Sequence, residues 1–209
     1  RLSVALSAGS TRVPSGVPAS SASATPTSSA KRGLQRVMTP ARWGLIPHWV
    51  ADPKAFKANL FNARAESAAE KPSFRDAMRS RRCIVPATGF YEWRKLDDSK
   101  QPYHIQRADG DPFAFAGLWS VNTRGPESIA SCTILTVDAN RDMEVLHDRM
   151  PVILERDSWG RWMDTDEHDP QRLEDLLVPA DDGLLGMYPV DRRVGNARID
   201  DAGLVRALE

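Results

Sequence analysis

The sequence predicts an α+β fold: a mainly antiparallel β-sheet closing toward a barrel-like core, with a few helices at its periphery. Three observations carry this. Short runs of β-branched and aromatic residues outnumber the amphipathic helical stretches. These runs do not alternate regularly with helices, which argues against a doubly wound parallel sheet. Tyr103 and Ile105 alternate, Asp109-Gly110 supplies a turn, and Phe113 and Phe115 alternate back, which predicts a hairpin.

Taken in order, Ser73 followed by Asp76 resembles a capping box, and Phe74, Ala77 and Met78 then share one helical face. That helix runs out in Arg79, Arg81 and Arg82, cations suited to its C-terminal dipole. Cys83-Ile84-Val85, Gly89 to Trp93 and Ser131 to Val137 read as strands, and Val152-Ile153-Leu154 as a further short one. Asp169-Pro170 reads as N-cap and first turn of a helix through Leu177.

The chain of 209 residues is long enough for one well-buried core. Residues 1–39 are expected to be disordered or a non-native start, and 40–209 to form the domain. From Arg1 to about Ser29 the chain is Ser, Ala, Pro, Thr and Gly with no aromatic residue, too little apolar surface to offset chain entropy. Apolar residues at 41% and charged residues at 27% match a globular protein. A formal net charge of +0 means that nucleic-acid binding must come from a local patch. No apolar run is long enough for a membrane span and no secretory signal is visible, so the expected location is the cytoplasm. Cys83 and Cys132 are too few for a disulfide framework, and the four histidines are not spaced as metal ligands.

Familiar catalytic signatures such as GxSxG, HExxH and the P-loop are missing. What remains is a set of polar-aromatic clusters. Asn62-Ala63-Arg64-Ala65-Glu66 brings an amide, a guanidinium and a carboxylate together, and if extended it points Asn62, Arg64 and Glu66 to one face. A solvated strand end is the alternative. Gly89-Phe90-Tyr91-Glu92-Trp93 sets one carboxylate among three aromatics, where burial would bring its pKa toward neutrality and suit it to acid–base work. A Glu paired with an arginine is the alternative. His147 stands beside Asp148, a possible orienting carboxylate, or is simply structural. Arg42-Trp43-Gly44-Leu45-Ile46-Pro47-His48-Trp49 interleaves a cation with aromatics that stack bases at roughly 1–3 kcal/mol each, or that fill the core.

In sequence order these clusters resemble the SOS-response-associated peptidase family, the abasic-site processing proteins. The stretches are Arg42-Trp43-Gly44-Leu45-Ile46-Pro47, Asn62-Ala63-Arg64-Ala65-Glu66, Arg81-Arg82-Cys83-Ile84-Val85-Pro86, Gly89-Phe90-Tyr91-Glu92-Trp93, Phe115-Ala116-Gly117-Leu118-Trp119 and His147-Asp148-Arg149-Met150-Pro151-Val152-Ile153-Leu154. The resemblance implies a monomer that binds single-stranded DNA carrying abasic sites, with no cofactor and no metal, in the DNA damage and SOS responses. It implies an N-terminal cysteine whose α-amine attacks the ring-opened sugar aldehyde and whose thiol closes a thiazolidine, a covalent DNA–protein crosslink. By position it assigns Asn62 to holding the sugar and the cysteine, Glu92 to acid–base catalysis and His147 to proton transfer at the sugar. Arg64, Arg149 and Trp49 are assigned to DNA. The family's Met-Cys-Gly-Arg opening and its Tyr-Asn-x-Ala-Pro segment do not occur in these 209 residues, so no nucleophile is assigned here. A non-covalent single-strand binding module and a cysteine peptidase limited to self-processing are the alternative readings.

Overall fold

The computed structural model describes residues 38–208. The expectations for residues 1–37 lie outside them. Nine strands in two sheets, with a few short helices, make up the described residues. The α+β expectation holds.

The larger sheet curls into a half-barrel. It contains β1 (Arg42–Trp43), β2 (Asn62–Arg64), β3 (Arg82–Ala87), β6 (Phe113–Asn122), β7 (Ile129–Asp138) and β8 (Arg149–Pro151). Its axis is β7, ten residues of which Cys132 through Val137 are buried. One edge of β7 takes β1 and then β2, both parallel; the other takes β6 and then β8, both antiparallel. Thr136 pairs with both Arg64 of β2 and Pro151 of β8, so these two strands flank β7 at one level. The smaller sheet is β4 (Phe90–Lys95), β5 (Lys100–Arg107) and β9 (Leu185–Pro189), all antiparallel. Phe90 joins the two sheets. Its ring lies 5.8 Å from both Phe113 and Phe115 of β6, and all three are buried.

The predicted hairpin does not form. Asp109-Gly110 does turn the chain: Gly110 takes φ +81°, a left-handed conformation open to glycine, and Asp109 accepts the Asp111 amide. Yet the segment carries the chain from one sheet to the other, because β5 pairs with β4 and β9 while β6 pairs with β3 and β7. The hairpin joins β4 to β5 instead. Its tip is closed by Leu96 N–H donating to the Ser99 carbonyl at 2.9 Å.

Among the helices, α1 (Ala65–Ala68) follows β2 directly, so Glu66 lies in a first helical turn rather than alternating along a strand with Asn62 and Arg64. The helix α2 (Arg75–Ser80) buries Ala77 and Met78, with Phe74 beside them, as its apolar spacing required. It has Phe74 at its N-cap with no side-chain cap, so Ser73 and Asp76 form no capping box. At its far end Arg82 turns back and donates to the Met78 and Arg79 carbonyls, satisfying groups the helix leaves open. The run at 152–154 is ladder-bonded only through the Ile153–Phe115 bridge and neighbouring backbone bonds, the strand proper being β8 just before it. Asp169 caps the next segment through the Gln171 amide as expected, but Pro170–Leu176 is a 3₁₀ helix. The remaining helices named below are α3 (Arg141–Glu144) and α4 (Trp159–Trp162).

Candidate active site

Asn62, Arg64, Glu92, His147 and Arg149 come from three separate stretches, and β7 organises four of the five. Asn62 pairs with Ile134 and Arg64 with Thr136 on one edge. On the other, β8 begins at Arg149, opposite Asp138, with His147 in the turn that leads into it. The turn is tied down by the backbone: His147 N–H donates to the Met143 carbonyl at 2.9 Å, and Ala139 N–H to the Asp148 carbonyl at 3.0 Å. Asn140 caps α3 immediately before it.

Arg149 does not stand free. Its Nη1 and Nη2 donate to the two carboxylate oxygens of Glu66 at 2.9 and 2.8 Å, a bidentate pair across β7. Nη1 also reaches Asp138, and Nη2 the Thr136 carbonyl at 2.6 Å. Burial alone would raise the Glu66 carboxyl, but the Arg149 contacts outweigh it and hold the pKa below the ordinary value. Glu66 and Asp138 are the partners that sequence reading missed as a unit, since they lie 72 positions apart on different elements. Arg64, by contrast, carries an exposed side chain.

Glu92 sits on β4 with 3% of its surface exposed. Oε1 accepts the Trp93 amide at 3.2 Å, and Oε2 has no hydrogen bond among the described residues. Desolvation of this site is the main cause that pushes the carboxyl pKa up to about 7; Asp148 adds a like charge, while the Trp93 amide and Lys100 pull the other way. Such a carboxyl is protonated in about half the molecules at neutral pH, and can give or take a proton at low cost.

His147 is mostly buried. Burial lowers its pKa, with Asp148 opposing, so the imidazole is neutral at neutral pH. Its Nδ1 accepts the Arg149 backbone N–H at 2.9 Å and lies 2.9 Å from Asp148 Oδ1.

Trp49 is placed elsewhere. The 47–50 loop is fastened by buried Asn122, whose Nδ2 donates to the Pro47 and Val50 carbonyls, both at 2.9 Å. Trp49 stands out from it 45% exposed, beside Pro72, Ser73 and Asp76 at the start of α2. Asn122 pairs with Ile129 and Asn62 with Ile134, which puts the loop about 17 Å along β7 from Asn62 by strand rise. Asn62, Arg64, His147 and Arg149 thus gather around the C-terminal part of β7, with Glu92 on the smaller sheet and Trp49 toward the start of β7.

Neither thiol is activated. Burial, with Cys132 nearby, pushes Cys83 up to about 12, and burial raises Cys132. Among the described residues no group of three or more His, Cys, Asp or Glu is placed to hold a metal ion. No described helix is long and apolar enough to cross a membrane.

The family model for SOS response associated peptidase (SRAP) matches residues 11–197. The chain belongs to the SRAP family. A relative from Bacillus subtilis, the abasic site processing protein YoqW, is 42% identical over 168 residues, 79% of this chain and 75% of that protein. The abasic site processing protein HMCES of Xenopus tropicalis is 33% identical over 187 residues, 78% of this chain and 55% of that longer protein. A solved structure from Bacteroides thetaiotaomicron superposes with a TM-score of 0.73 at 30% identity, over 80% of this SRAP chain and 75% of that one.

Proposed function

We propose that this SRAP protein processes abasic sites in single-stranded DNA, and that its site serves a covalent crosslink between the ring-opened sugar and an N-terminal cysteine. The observation that carries the reading is Glu92: a buried carboxyl held near pH 7, with one oxygen that has no hydrogen bond among the described residues. Imine formation needs such a group. The amine adds to the aldehyde carbon, and the resulting hydroxyl leaves as water only after gaining a proton. The protonated carboxyl supplies that proton and then takes one back from nitrogen. The thiol then adds across the C=N bond and closes the thiazolidine, with its proton passing to nitrogen. His147, proton on Nε2, is suited to exchanging a proton with the sugar ring oxygen as the ring opens. Asn62 provides an amide to hold the sugar, and Arg64 a cation for phosphate. The names of YoqW and HMCES support abasic sites as the substrate.

The chemistry joins an amine and a thiol on neighbouring carbons, which only a cysteine with a free α-amine offers. An α-amine with pKa near about 7.7–8.0 is partly nucleophilic at cellular pH. Cys83 and Cys132 are internal and have none. The experiment therefore compares the chain beginning at Arg1 with one that begins Cys-Gly-Arg after Met removal and carries Tyr-Asn-x-Ala-Pro. Both are incubated with an oligonucleotide containing one abasic site and run on a denaturing gel. A heat-stable shifted band is expected from the second alone, and Glu92→Gln in that protein is expected to slow its appearance at least tenfold. A band from the Arg1 chain, or none from the cysteine form, overturns the crosslink. Binding to lesion-free single strand without any crosslink would instead favour a non-covalent binding module.

A further inference from the structure

The Glu66–Arg149 pair joins two parts of the candidate site. Glu66 follows β2, which carries Asn62 and Arg64, and Arg149 opens β8, which His147 precedes. The guanidinium crosses β7 between them. Four of its five N–H groups are occupied by Glu66, Asp138 and the Thr136 carbonyl, and the fifth, Nε–H, is buried without a partner. The Arg149 side chain is 11% exposed, too enclosed to swing outward without breaking the pair. The same residue's backbone N–H donates to His147 Nδ1.

His147 Nδ1 faces two incompatible partners at 2.9 Å. The Arg149 amide requires Nδ1 to accept, which leaves the proton on Nε2. The Asp148 carboxylate requires Nδ1 to donate, which strips Nε2 of its proton or charges the ring. The Asp148 side chain is 83% exposed and free to turn into water. The Arg149 amide is fixed only as firmly as β8 is.

We infer that Glu66 and Arg149 form a cross-strand brace that positions the Arg149 amide against His147 and thereby selects the Nε2–H tautomer. Glu66 is a positioning residue: it touches no reacting atom and acts through Arg149 and the start of β8. The value of that tautomer to catalysis rests on the proposed function; the tautomer itself does not. Without the brace, Asp148 gains the imidazole, and the nitrogen that should carry the proton becomes an acceptor.

The test is ¹⁵N NMR of the full chain labelled at histidine, which reads which ring nitrogen of His147 is protonated. The wild type should hold Nε2–H. Glu66→Gln keeps the shape but loses the charge, and should raise the Nδ1–H fraction several-fold with the fold intact by circular dichroism. Glu66→Gln with Asp148→Asn removes the competitor as well and should restore Nε2–H. An unchanged tautomer in folded Glu66→Gln overturns the brace, and so does a double variant that fails to revert. If Glu66→Gln does not fold, Asp148→Asn alone decides, since it should leave Nε2–H in place and a loss of that tautomer overturns the inference. A shifted tautomer with undiminished crosslinking by the cysteine-bearing protein supports the brace and overturns the catalytic part given to His147.

Discussion

At the scale of the residue, Glu92 shows what it costs to keep a carboxyl ready for proton transfer. The fold pushes its pKa from 4.5 up to about 7, chiefly by burial. Between those values the folded chain holds a proton that the unfolded chain has released, so stability falls as pH rises through this window and is flat on either side. Each pH unit in the window is worth about 1.4 kcal/mol. By pH 8 the penalty therefore reaches at most about 3 kcal/mol. Gln has the same shape and no charge. Glu92→Gln should thus gain stability over the wild type as pH rises, by up to about 3 kcal/mol between pH 4 and pH 8. Urea unfolding of both proteins at the two pH values measures this directly. A difference between them that stays constant with pH would show that Glu92 is an ordinary solvated carboxylate. The burial of Glu92 was legible in sequence because three aromatics surround it within five positions. That Arg149 would be enclosed by Glu66 and Asp138 was not, because ion pairs across a sheet depend on register.

At the scale of the element, most strand and turn signals were sound, while the capping box and the predicted hairpin pairing were not. Strands β3, β4 and β7 fall where β-branched and aromatic runs predicted them. The turn at Asp109-Gly110 is real, but a turn does not determine which sheet the next strand joins. Phe90 of the smaller sheet packs against Phe113 and Phe115 of the larger one, so this buried cluster holds together the two sheets that β5 and β6 join. Arg82 teaches the same lesson. Sequence treats it like Arg79 and Arg81, as a cation at a helix end. In the fold, however, it alone turns inward. Its five N–H groups reach five carbonyls, those of Met78, Arg79, Trp162, Asp164 and Glu167, and it lies 5.8 Å from the Trp162 ring. It thereby pins α2 and the segment after α4 to β3. Lysine has three donors on one atom and cannot span that fan. At least two carbonyls would lose their partner at about 1–3 kcal/mol each, so Arg82→Lys should cost roughly 2–5 kcal/mol. A melting temperature lower by on the order of 10 °C is the expected reading. A change within about 0.5 kcal/mol would mean that water replaces the guanidinium without loss.

At the scale of the whole molecule, charge has to be placed rather than accumulated. The chain carries 28 basic and 28 acidic residues and a formal net charge of +0. It has no overall field to draw DNA, so affinity must come from a few cations and from stacking. Several arginines are committed to structure: Arg82 to carbonyls, Arg107 to Asp109 and Glu155, Arg149 to Glu66. Arg64 is exposed at the site, and exposed Trp49 offers a ring near the start of β7, at its opposite end. A ring can stack only on a base that is not already stacked in a duplex. We therefore expect weak, salt-sensitive binding that prefers single strands over duplex. Arg64→Ala should weaken it across sequences and flatten the slope of log affinity against log salt by about 0.7, one phosphate's share on a single strand. Arg149→Ala should act differently: with its guanidinium already spent on Glu66, it should disturb His147 and the fold while leaving that slope nearly unchanged. Fluorescence anisotropy with a labelled oligonucleotide across a salt series separates the two variants. Equal affinity for duplex and single strand, or a slope that responds to Arg149 and not to Arg64, would mean that the DNA lies across β8 and displaces Glu66 from its partner.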